Sequence, residues 1–231
     1  MQTVAEGNHD AGIRIAFGGP ELEAAYDVQA LSRADRLRAS MPRAARAERD
    51  WRVSRALAAW LRRQAGLAAD APVSLSHSRA HALAADAPQG FALGVDVELC
   101  RPRDAGALAQ WVCTPAERAL LDGVADAAAR LEYFYVLWTL KEALLKAAGL
   151  DFPAGMATVG LRPAGEGCAG TVLRAPPGAW EAAVCGLPDG WIAAVAWRLP
   201  PGLPPAEPAA RLRWLVPATG VRMLGAWRAG G

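Results

Sequence analysis

Lysine is nearly absent from this sequence. Of its 25 Lys and Arg residues, only Lys141 and Lys146 are lysine, and they stand five positions apart. Arginine offers a planar fork and lysine a compact point charge, so a chain that writes arginine elsewhere marks this segment by keeping lysine there. Cysteine is scarce too. Cys100, Cys113, Cys168 and Cys185 form no CxxC pair, which argues against a zinc site and predicts reduced thiols. The longest uninterrupted apolar run, Trp191–Trp197, is far short of a membrane span. The opening MQTVAEGNHD lacks the basic start and apolar core of a secretory leader, so the expectation is a cytoplasmic protein. No GxGxxG or GxxxxGK[ST] occurs, which leaves Rossmann and P-loop nucleotide binding unsupported.

What is present is an ordinary globular balance of 53% hydrophobic and 21% charged residues over 231 positions. The net charge of +2 is unevenly spread: Arg33 to Arg63 holds ten arginines against three acids, a local excess of +7. Residues 20–66 read as helical, with Ala44–Ala65 a long helix ended by Gly66. Val73–Ser78, His81–Asp86 and Phe91–Leu99 alternate like strands. Thr114–Asp122 and Asp126–Ala148 read as helices, and short strands follow at 158–162, 170–174, 180–185 and 190–198. This order predicts an α+β fold of two similar halves, each a small antiparallel sheet packed with helices. The expected divisions are residues 1–90, residues 91–199, and a loose Pro/Gly/Arg-rich tail at 200–231.

Four constellations carry possible chemistry. In GVDVE, strand alternation sends Asp96 and Glu98 to one face and Val95 and Val97 to the other. Two carboxylates on one strand face repel unless a cation relieves them, or water solvates them. In WTLKEALLKAAG, Glu142 and Lys146 are spaced i,i+4, while Lys141 falls among apolar positions and must snorkel out or meet an anionic partner inside. In SLSHS, Ser76 and His77 point to opposite faces, which excludes a nucleophile–base pair between them. Thr114-Pro-Ala-Glu117 makes a capping box that explains Glu117 without chemistry.

Taken together and in order, SLSHS, GVDVE, TPAE and YFYVLWTLKEALLKAAG resemble the 4′-phosphopantetheinyl transferase superfamily, in its single-chain, surfactin-synthetase-activating type. The resemblance spans roughly Val73–Leu199 and implies an active site between the two halves, with the metal site in 91–199. It implies Mg²⁺-dependent transfer of the phosphopantetheine arm of coenzyme A to a serine of an apo acyl- or peptidyl-carrier protein, releasing adenosine 3′,5′-bisphosphate. On this resemblance Asp96, Glu98 and Glu142 are the metal ligands. Lys146 contacts coenzyme A phosphate, Ser76 and His77 are its phosphate-binding Ser-His, and Lys141 belongs to the same motif. Arg49, Arg52 and Arg55 are candidates for its 3′-phosphate. Glu142, Glu117 or a metal-bound water would take the serine proton. The stretch before the Ser-His strand, Ala65–Pro72, lacks the Gly-Lys-Pro segment that lines the family's adenine pocket. The resemblance also implies a monomer with no nucleic-acid or membrane partner. A degenerate homologue that only binds coenzyme A or a carrier protein is the competing reading, and the retained carboxylates and lysines argue against it. Nucleic-acid binding by the basic 33–63 stretch has no reader motif behind it.

Overall fold

The computed structural model describes residues 12–165, 170–204, 206–216 and 219–229; Cys168 and the N-terminal eleven residues lie outside them. In chain order the elements are β1 (Ile13–Gly18), α1 (Arg33–Ala39), α2 (Ala45–Gln64), β2 (Ser74–Ser78), β3 (His81–Asp86), β4 (Ala92–Leu99), α3 (Ala105–Val112), α4 (Pro115–Asp122), α5 (Ala127–Ala148), β5 (Gly160–Pro163), β6 (Thr171–Arg174), β7 (Trp180–Gly186), β8 (Trp191–Arg198), β9 (Leu212–Trp214) and β10 (Arg222–Arg228).

Two four-stranded sheets form, in orders β2-β3-β1-β9 and β10-β7-β8-β4, beside a β5-β6 hairpin. Alternation explains their stacking. Val95, Val97, Ala183, Val195 and Trp197 share one core with Ile13, Ile15, Leu83 and Ala85 of the other sheet. The intervening residues Ala182, Val184, Ala194 and Ala196 pack with Phe134, Leu137, Leu140 and Leu144 of α5. On the far side α2 covers the first sheet through Val53, Leu57 and Leu61. The layers therefore run α2, sheet, sheet, α5, and the mixed α+β class expected from the sequence is what forms.

One expectation fails. The stretch 200–231, read as a loose tail, supplies a strand to each sheet: β9 pairs parallel to β1, and β10 pairs antiparallel to β7. Its arginines anchor it. Arg211 and Arg228 reach the buried carboxylate of Glu181 at 3.1 and 3.4 Å. The pairing partners lie far away in sequence, so local pattern reading sees only prolines and glycines.

Candidate active site

Gly94 sets the distance between β4 and α5. A Cβ there would lie 2.0 Å from the Ala143 carbonyl and 2.5 Å from the Ala147 amide, so only glycine lets the helix lie this close. The close approach brings Lys146 across to Asp96. Its Nζ donates to Asp96 Oδ1 at 2.8 Å and to the Val95 carbonyl at 3.0 Å.

From the other sheet, three serines of β2 meet β4. Ser74 Oγ accepts from the Val95 amide at 3.0 Å, Ser76 donates to Asp96 at 2.7 Å, and Ser78 donates to Glu98 at 3.0 Å. Ser74 and Ser78 escaped the sequence reading. Their signal was the match in period between S-x-S-x-S and D-x-E, since both strands alternate by two.

Glu98 and Glu142, which stand near Asp96, are under-compensated. Burial pushes the carboxyl of Glu142 above the usual glutamate range, and Asp96 and Glu98 add to it while Lys146 opposes. Glu98 is raised in the same way, first by burial and then by Asp96, against the hydrogen bond from Ser78. Among the described residues no three His, Cys, Asp or Glu side chains form a ready metal cage. The donor set nevertheless fits a hard divalent cation: Asp96 Oδ2 is buried without a hydrogen-bond partner, and the Asp96 charge repels the carboxylates of Glu98 and Glu142. Magnesium needs only one or two carboxylates and completes its shell with waters and substrate phosphates.

His77 lies on the opposite face of β2 from the serines. Its pKa is lowered, first by desolvation and then by Arg55 and Lys146, with Asp50 opposing. The three candidate arginines of α2 are thereby separated. Arg49 pairs with Glu23 at 3.0 Å and Arg52 with Glu48 at 2.8 Å, both on the surface. Arg55, mostly buried, pairs with Asp35 at 3.1 Å, packs over the Trp51 ring, and is the one whose charge reaches His77.

Two of the expected site residues stand elsewhere. Lys141 does not snorkel. It is fully buried, 2.7 Å from the equally buried Glu117. Glu117 Oε1 also accepts from the Leu161 amide and from Arg174, each at 3.0 Å, and Oε2 closes the capping box with Thr114. Desolvation lowers the Lys141 pKa and Glu117 opposes it. The structure places Glu117 and Lys141 together as one buried ion pair, while Glu117 as base and Lys141 as ligand contact stay expectations of the resemblance. Gly160 completes the pair: at φ +129, a Cβ would lie 2.0 Å from Glu117 Oε1.

A cavity of about 470 Å³ opens beside Lys146, walled by Val73, Leu75, Phe91 and Leu93. Residues 92–196, from β4 to β8, match the family model of the 4′-phosphopantetheinyl transferase superfamily. Over that stretch, a little under half of its length, the chain is similar to that superfamily. The match contains Asp96, Glu98, Glu142 and Lys146, while Ser76, His77 and Arg55 precede it. It supports a transferase and, in general, transfer of the phosphopantetheinyl group. A search of the curated proteins found no match. Among the described residues no helix is long and apolar enough to cross a membrane.

Proposed function

We propose that the protein transfers the 4′-phosphopantetheine arm of coenzyme A to a serine of an apo carrier protein, with Mg²⁺ as cofactor. The observation that carries this reading is the buried, unpartnered oxygen of Asp96 beside two carboxylates and a lysine, inside the stretch similar to the superfamily.

Asp96 and Glu98 would hold the metal with Glu142 beside them. Bound there, Mg²⁺ supplies positive charge to the phosphoryl oxygens on which negative charge builds in the transition state. Lys146, 35% exposed along its side chain, has the reach and the mobility to neutralise the diphosphate. The carrier serine Oγ forms a bond to the pantetheine-bearing phosphorus. The bond from that phosphorus to the bridging oxygen breaks, and adenosine 3′,5′-bisphosphate leaves. Glu142, standing beside the Asp96–Glu98 pair with its carboxyl raised by burial, would take the serine proton, since Glu117 is committed to a buried pair. Arg55 and His77 would receive the 3′-phosphate. Lacking a lysine in Ala65–Pro72, the chain would hold the rest of the nucleotide by the walls of the cleft.

The test is incubation with coenzyme A, Mg²⁺ and assorted apo carrier proteins, followed by intact mass measurement. A gain of one phosphopantetheinyl group on any carrier, abolished by chelator, supports the reading. Binding of coenzyme A with no mass gain on any carrier replaces it with the non-catalytic homologue.

A further inference from the structure

An ammonium group of the chain itself stands where the cation of this site belongs. Lys146 Nζ takes Asp96 Oδ1 at 2.8 Å, while Oδ2 of the same carboxylate is buried and has no partner. The two partners differ in freedom. The Asp96 side chain is 8% exposed and is fixed further by Ser76, whereas the Lys146 side chain is 35% exposed on a flexible stem. A divalent cation on Asp96 would bring two charges up to a third, and only the lysine can move.

We propose that Lys146 is an exchangeable counter-cation: it holds Asp96 in the metal-free protein and is released to the co-substrate diphosphate when the metal takes its place. This rests on the metal-dependent reading above. The lysine then has two successive anions, a carboxylate and a phosphate, and never faces the metal across one oxygen. Metal alone must evict the lysine into water, so it binds weakly. Phosphate offers the lysine a destination, so metal and co-substrate strengthen each other's binding through it.

The scarcity of lysine makes the test direct. Lys146 and Lys141 are the chain's only lysines, and Lys141 is fully buried. Limited acetylation of the native protein, resolved by peptide mass spectrometry, therefore reads Lys146 against an internal control. Excess Mg²⁺ alone should raise the Lys146 labelling rate severalfold, and Mg²⁺ with coenzyme A should lower it below the metal-free level. Lys141 should stay unlabelled throughout. In parallel, Mn²⁺ titration followed by electron paramagnetic resonance, without coenzyme A, should show Lys146→Gln binding about five- to tenfold tighter than wild type, and Lys146→Arg within about twofold of it. Arg101→Gln, which removes a charge felt by Glu98 but not bound to Asp96, should gain less than Lys146→Gln.

Unchanged labelling on adding Mg²⁺, or equal Mn²⁺ affinity in wild type and Lys146→Gln, overturns the exchange and leaves the metal reading standing. If Mn²⁺ fails to bind any variant even with coenzyme A present, both fall together.

Discussion

Two lysine–carboxylate pairs hang from α5, and burial divides their work. Lys141 and Glu117 are both fully buried, and every oxygen of that carboxylate is spoken for. Lys146 and Asp96 leave one oxygen orphaned and the lysine part-exposed. Five residues along a helix turn the side chain by about 140°, so one lysine looks toward α4 and β5 and the other toward β4. The closed pair is a joint, satisfied and unavailable. The open pair keeps electrostatic need in reserve, as a site that must accept a further charge does.

Breaking the closed pair should have the largest effect on stability. Glu117→Ala strands Lys141 and Arg174, and removing one partner of a buried pair costs about 3–5 kcal/mol. Urea denaturation should show that loss, and Glu117→Gln with Lys141→Met together should recover much of it. Gly160→Ala should destabilise by the same joint. A Glu117→Ala protein of wild-type stability but no activity would restore Glu117 as the base.

The open pair should behave in the opposite way. Asp96→Asn should lower kcat/KM by about a hundredfold or more, the scale of a lost charge-stabilising group. Its cost in stability should stay near 1–2 kcal/mol, because Lys146 can turn to water while the Ser76 hydroxyl keeps an amide partner. This departs from simple relief of carboxylate repulsion, since Asp96 is paired in the fold. Loss of activity that tracks unfolding in the denaturation curve would erase the contrast.

The arginines sharpen it at the substrate end. Arg55→Gln should weaken coenzyme A binding about tenfold, the worth of a charged hydrogen bond, and leave the dephospho form unaffected. Arg49→Gln and Arg52→Gln should change neither affinity, because both lie on the surface and, of the three, only Arg55 has its charge reach His77. Calorimetric titration with the two nucleotides decides it.

The open site was largely legible because its residues follow local periods. Strand alternation gave the shared face of Asp96 and Glu98, and helix spacing set Glu142 beside Lys146. The capping box at Thr114 and Glu117 was equally local. What stayed hidden depends on which element packs where. That Lys141 finds Glu117 across 24 residues, that the charge of Arg55 rather than Arg49 or Arg52 reaches His77, and that β9 and β10 join the two sheets are facts of long-range docking. Gly94 belongs between these classes. It is visible in the motif, yet its reason appears only when α5 lies on it.

The smallest effect concerns the cluster's stored repulsion. Glu98 and Glu142 carry raised pKa values in the folded protein, mainly from burial and then from Asp96. A carboxyl of this kind binds protons more readily folded than unfolded. The metal-free protein therefore gains stability as pH falls from above the raised values toward the ordinary glutamate value, and gains nothing further below it. His77, pushed downward, acts the other way and costs stability below the ordinary histidine value. Comparing wild type with Glu142→Gln cancels the histidine. In chelator at neutral pH, Glu142→Gln should melt about 1–2 °C higher, because it removes one repelled charge. That advantage should shrink on acidification, as the wild-type carboxyl takes up its proton. Added Mg²⁺ should reverse the order, raising the wild type more than the variant. A Glu142→Gln protein that melts below wild type in chelator would mean that the carboxylate is held by favourable contacts, and the cluster would then be no more open than the Glu117 joint.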